Sequence, residues 1–197
     1  MDHQNTYRLK AWELALLCAL CLTLSAAVWA QGRVQRIEDG LIRLHVLAVS
    51  DEEREQAVKL RVRDAVLSFL QPELETVTDK TEAERIVLNC LPQLCAAAEE
   101  AAEGRNVAVT LTRERYPTRR YGSFALPAGE YDSLRVILGE GKGRNWWCVV
   151  FPPVCLDAGS EELLSDAVGD ETFQILCGDG QTALRFKLLE LWGKLTQ

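Results

Sequence analysis

Cys148 with His45 could act as thiol nucleophile and base. Nothing in their spacing places them together, and a histidine on a strand is usually a packed one. The chain has two histidines, His3 and His45, so most histidine-based metal sites are excluded and one histidine remains for any triad. Gly139-Glu140-Gly141-Lys142-Gly143 resembles a phosphate cradle in composition. A cradle needs its lysine followed by Ser or Thr and must open a helix. Here Gly143 follows Lys142 and a strand pattern comes next, so a loop fits better. Asp51, Glu52 and Glu53 look like paired carboxylates, but they stand at a helix start, where negative charge favours the macrodipole. No catalytic, metal-binding or cofactor-binding set is expected.

The remaining chemistry is that of contact and cross-linking. Cys148 and Cys155 are separated by Pro152-Pro153, and a short return would allow a disulfide; two buried free thiols fit the same spacing. Cys90 and Cys95 lie on one helix with side chains pointing apart. Trp146-Trp147 places two indoles on opposite faces of one strand. Arg and Tyr are enriched where binding energy concentrates. In an acidic chain, two loops carry local positive charge with aromatic rings. One has Tyr116, Arg119, Arg120 and Tyr121; the other has Lys142 and Arg144, followed by Trp147. These seven residues are the expected partner contact, on two loops taken to be neighbours.

These residues need elements to hold them. Alternation over 41–49 predicts a strand with Ile42, Leu44, Val46 and Ala48 facing a core. Ser50 and Glu53 have capping-box spacing, and a helix follows until Pro72. A second helix is expected over 81–103, kinked at Pro92 and stopped by Gly104. A strand over 107–112 precedes a turn-rich stretch, 116–130. Strands over 133–138 and 146–151 follow, joined as a hairpin by the glycine loop. The second is apolar on both faces, as a central strand is. Residues 156–181 are acidic and less regular, with a further strand at 173–177. Leu184, Leu188, Leu191 and Leu195 mark a closing helix.

The class is therefore α+β: an N-terminal signal or anchor helix, two helices after the first strand, an antiparallel strand set and a C-terminal helix. The 22 Lys and Arg against 29 Asp and Glu give a net charge of −7. This disfavours nucleic acid as a partner, because phosphate would be repelled. Arg8 and Lys10 precede a run, 14–30, without a charged side chain. That is a secretory signal's pattern, at the lower limit for a membrane span. Residues 1–30 are expected as signal peptide or membrane anchor and the sole membrane contact. Residues 31–40 are expected as linker and 41–197 as one exported domain. Export into an oxidising space would allow cysteines to pair.

Several runs resemble the stage II sporulation protein R family of endospore-forming bacteria. The densest are Pro127-Ala128-Gly129-Glu130-Tyr131, Leu134-Arg135-Val136 and the stretch from Gly139 to Cys155. Others are Leu60-Arg61-Val62-Arg63-Asp64-Ala65-Val66-Leu67, Tyr116-Pro117-Thr118 and Tyr121-Gly122. The resemblance covers the signal segment and nearly all of 41–155, and nothing distinctive in 156–181. It implies a signalling protein rather than an enzyme. Such a protein is exported from the forespore into the intermembrane space. There it activates a membrane-embedded sporulation aspartic protease of the mother cell, the sigma-E processing peptidase. The alternative is an exported thiol-dependent hydrolase or oxidoreductase using Cys148.

Overall fold

The structure is a computed structural model, and it describes residues 10–121, 124–153, 164–166 and 168–177. Helix α1 covers Ala11–Gly40. Residues through Gln35 belong to one compact unit and residues from Arg36 to another. In the first unit Trp12, Leu16, Leu20, Leu24 and Trp29 are exposed. This helix is long and apolar enough to cross a membrane. The expected linker, 31–40, is helical instead. It contains no proline to break the helix.

The second unit has a four-stranded mixed sheet in the order β2-β5-β1-β6. The strands are β1, Ile42–Leu47; β2, Val107–Tyr116; β5, Gly129–Leu138; and β6, Asn145–Phe151. β1 runs parallel to β5, while β2 and β6 are antiparallel to their neighbours. A parallel pair needs a long crossover. Between β1 and β2 the chain forms α2, Glu53–Leu74; α3, Lys80–Asn89; and α4, Leu91–Ala101. These helices cover one sheet face. Val58, Val62, Val66 and Leu70 of α2, Val87 of α3 and Leu94 of α4 pack on Leu44, Val46, Leu134 and Val136. On the other face Ile37, Leu41, Tyr116, Phe124, Leu126, Tyr131 and Val149 form a second core. Strands β3, Arg119–Tyr121, and β4, Phe124–Leu126, pair as a small sheet. Helix α5 covers Asp170–Leu176.

The α+β class is as expected, and several local features differ. The Ser50 and Glu53 side chains form no capping box: the N-cap of α2 is Glu52, without a side-chain cap. Ser50 Oγ accepts from Glu52 N instead, at 3.3 Å. Pro72 lies inside α2 rather than ending it, because packing of Leu70 and Leu74 holds the last turn. The second expected helix is two helices, divided at Cys90, with Pro92 in the first turn of α4. Proline suits that position, where its missing N–H would be unpaired anyway. Within the turn-rich stretch lie β3, β4 and the start of β5. Residues 173–177 fall in or just after α5 rather than a strand. The closing helix marked by Leu184 to Leu195 lies outside the described residues.

β6 is not central: it pairs with β1 alone among the described strands. Its two apolar faces reflect cover from both cores, with Val150 in one and Val149 in the other. Nor are β5 and β6 a hairpin, since β1 lies between them. The glycine loop passes around the C-terminal end of β1. Gly143 N donates to Ala48 O at 2.9 Å, Arg144 N to Asp51 Oδ1 at 2.7 Å, and Lys59 Nζ to Arg144 O at 3.1 Å. A Cβ on Gly143 would overlap the Ser50 carbonyl, and one on Gly141 would approach Ile137 Cγ2 to 2.9 Å. Close backbone approach therefore requires glycine at both.

Gly143→Ala is expected to lower the unfolding free energy by ~1–3 kcal/mol, read by urea denaturation. Lys142→Ala next to it, whose side chain is 75% exposed, should stay within ~0.5 kcal/mol of wild type. Val149→Asp and Val150→Asp should each fail to fold by circular dichroism. Both valines are buried, and neither face offers water to a carboxylate.

Candidate functional site

The second sheet face carries most of the buried polar groups. Strand alternation sends Ile42, Leu44 and Val46 to the helices and Arg43 and His45 to the opposite side. Because β1 has a neighbour on each side, neither side chain can reach around an edge to water. Arg43 is fully buried. Its Cζ lies 3.9 Å from the ring centroid of Tyr116, 4.8 Å from Tyr131 and 5.7 Å from Tyr121. Nη2 donates to the Tyr121 hydroxyl. Nε and Nη1 have no hydrogen-bond partner among the described residues. The charge is held by aromatic faces rather than by a carboxylate. Tyr131 is fixed by donating to Pro127 O at 2.8 Å. Burial raises the pKa of all three tyrosines.

Beside this cage runs a hydrogen-bonded chain. His45 Nδ1 is 3.0 Å from both oxygens of Glu114. Ser133 Oγ donates to Glu114 Oε2 at 3.1 Å, and the Tyr116 hydroxyl lies 2.6 Å from Ser133 Oγ. An ionised carboxylate only accepts, which puts a proton on Nδ1. The His45 ring stacks on Trp147 at 3.7 Å between centroids and 13° between planes. Tyr116 meets Trp147 edge-on at 4.6 Å, and Arg119 Cζ is 5.5 Å from the Trp147 centroid. Burial lowers the pKa of His45, opposed by the Glu114 carboxylate.

The expected contact residues separate into two groups. β2 and β5 pair from Val107 opposite Leu138 to Tyr116 opposite Gly129. The Tyr116–Tyr121 loop and the glycine loop therefore leave β5 at opposite ends, about 30 Å apart. They do not form one surface. Tyr116 is interior rather than a contact, being 1% exposed, and Tyr121 is tied to Arg43. Trp147 is half-buried, while Arg119 and Arg120 are exposed. Lys142 pairs with Glu140, and Arg144 lies 3.5 Å from Asp51. Trp146 is half-buried under Arg63, 4.3 Å from its ring.

Cys148 and His45 lie on opposite sheet faces. In the ladder Leu44 is opposite Cys148 and His45 opposite Trp147. Cys148 belongs to the helix-covered core, so the thiol–imidazole dyad does not form. Cys155 lies outside the described residues. Among the described residues no His, Cys, Asp or Glu side chains converge as metal ligands. Sequence reasoning missed Arg43 as the centre of the second face. The available signal was an Arg and a His alternating with apolar residues on one strand, together with three of the chain's four tyrosines in 116–131.

Fold and site together define an α+β domain behind one apolar helix, with a tyrosine-caged arginine on the second sheet face. The family model for stage II sporulation protein R matches residues 38–160, and the chain belongs to that family. It is 38% identical over 135 residues to stage II sporulation protein R of Bacillus subtilis (strain 168), covering 66% of this chain and 60% of that relative's length. No solved structure matches.

The lowered pKa of His45 sets a pH dependence. Below about pH 6.5, the unperturbed value, the unfolded chain takes up a proton that the folded one refuses. Stability should therefore fall as pH drops through that value and level off below the folded pKa. Urea unfolding at pH 7.5 and 5.5 checks this: His45→Gln should reduce the difference between the two pH values.

Proposed function

We propose that this chain is an exported sporulation signal that activates a membrane-embedded aspartic protease of the mother cell, which then processes the sigma-E precursor. The family match over residues 38–160 carries the reading. The N-terminal apolar helix supports export by residues 1–30 across the forespore membrane into the intermembrane space. A ligand activates only by binding the active state of its receptor more tightly than the inactive one. That demands a rigid surface, and the interior of the second sheet face is tightly fixed beneath Arg119 and Trp147.

The partner contact in this reading is Arg119 and Arg120, with Trp147 and Tyr121 behind them. Lys142 and Arg144 at the other end are engaged with Glu140 and Asp51. A Cys148–Cys155 disulfide belongs to the proposal too. Its support is that Cys148 is disulfide-bonded, while Cys90 and Cys95 are free thiols. Such a bridge would secure the chain leaving β6 in an oxidising space.

The deciding experiment is cleavage of the sigma precursor by the protease in reconstituted membranes, with and without the full chain. Faster cleavage with the chain present is expected; an unchanged rate overturns the reading. Arg119→Ala combined with Arg120→Ala should weaken activation about tenfold or more at an unchanged melting temperature. Lys142→Ala combined with Arg144→Ala should leave activation near wild type.

A further inference from the structure

Export by itself leaves residues 1–30 either removed or retained, and helix α1 separates the two cases. A secretory signal has an apolar stretch of about 7–15 residues followed by a short cleavage region. The uncharged run here, 14–30, is longer and reaches the ~17–25 residues of a spanning helix. Trp12 and Trp29 bracket it, and both are exposed. At a rise of about 1.5 Å per residue they stand about 25 Å apart, close to the ~30 Å hydrocarbon core of a bilayer. Tryptophan concentrates at both membrane interfaces. Lys10 and Arg33 lie further out, about 35 Å apart, where long basic side chains reach the headgroups. Arg33 Cζ is 4.7 Å from the Trp29 ring centroid, so cation and indole share one end of the span. At the other end Glu13 Oε2 accepts from Lys10 N at 2.7 Å. Between them Thr23 Oγ1 donates to Ala19 O at 3.0 Å or Leu20 O at 2.9 Å, so this hydroxyl needs no water.

The same helix withholds its cleavage positions. Small residues place these after Ala27 and after Ala30. A peptidase takes its substrate extended, so a helical segment must first unfold locally. Neither Gly nor Pro occurs over 12–31, and α1 continues past both positions to Gly40. Unwinding at Ala27, on the membrane side of Trp29, would also expose backbone groups where no water replaces their hydrogen bonds.

We propose that α1 is not removed and stays in the membrane as a single span. The bilayer is the partner of its apolar surface, and the chain from Arg36 onward is tethered on the outer side. The signal then acts from the membrane that exported it rather than as a freely diffusing protein. For the side of the membrane on which the domain lies, this rests on the export reading above.

The test is expression of the full chain in an endospore-forming bacterium, followed by alkaline carbonate extraction of the membranes and mass spectrometry of the N-terminal peptide. The whole chain, with residues 1–30 attached, is expected in the extracted membrane pellet. Protease added to intact protoplasts should digest the domain. Recovery of most of the protein as a soluble species beginning at Val28 or Gln31 overturns the anchor and leaves export standing. An intact chain that carbonate releases overturns the span. A domain that resists added protease until the protoplasts are lysed overturns export and the outward tether together. Ser25→Pro places a helix breaker ahead of both cleavage positions, and more than half of that variant should be released as the shortened chain. Retention of the intact proline variant overturns helical protection as the reason the anchor persists.

Discussion

Burial of the Arg43 guanidinium constrains the entire second layer of the domain. A cation taken out of water loses several kcal/mol of hydration unless other groups replace it. No carboxylate among the described residues contacts it, and three tyrosines replace that hydration through their ring faces and one hydroxyl. Each tyrosine comes from a different element: Tyr116 ends β2, Tyr121 lies in β3 and Tyr131 in β5. The cage therefore ties the small β3–β4 sheet to the main one. A lysine could not substitute, since it lacks the planar surface that stacks on a ring.

The position of β1 explains why such a cage is needed. With β5 on one side and β6 on the other, every side chain of β1 is enclosed, and all six residues are buried. A polar residue there must be satisfied by the layer above it. Arg43 is answered by tyrosines and His45 by Glu114 and Trp147. Buried polar networks of this kind hold neighbouring elements in one arrangement when their members are mostly paired. The same central placement sends the glycine loop around the end of β1, where Gly143 and Arg144 bond to Ala48 and Asp51. That loop is fastened to the body of the domain rather than offered as a free grip.

For a protein of the stage II sporulation protein R family, the consequence is a division of labour among its arginines. Arg43 organises the interior; Arg105 clamps Glu55 at 2.6 and 2.7 Å between α4 and β2. Arg113, Arg115, Arg119 and Arg120 are exposed toward one end of the sheet.

The sequence by itself determined the elements governed by short-range rules. The apolar helix, the α+β class and the stop near Gly104 follow from hydropathy, period and backbone restriction, all of which act within a few residues. The family resemblance was legible too, from runs such as Gly139 to Cys155. Sheet order was not, because strand pairing depends on contacts between distant segments. Apolar residues on both faces of 146–151 looked like a central strand, yet the same pattern arises in an edge strand covered by two cores. Val149 and Val150 are buried for that reason. Adjacent strands β5 and β6 suggested a hairpin, and only the insertion of β1 decided otherwise. That insertion put Cys148 and His45 on opposite faces. Pairing of β2 with β5 separated Tyr116–Tyr121 from the glycine loop, and the collapse of three tyrosines onto Arg43 turned an apparent surface ring, Tyr116, into an interior one.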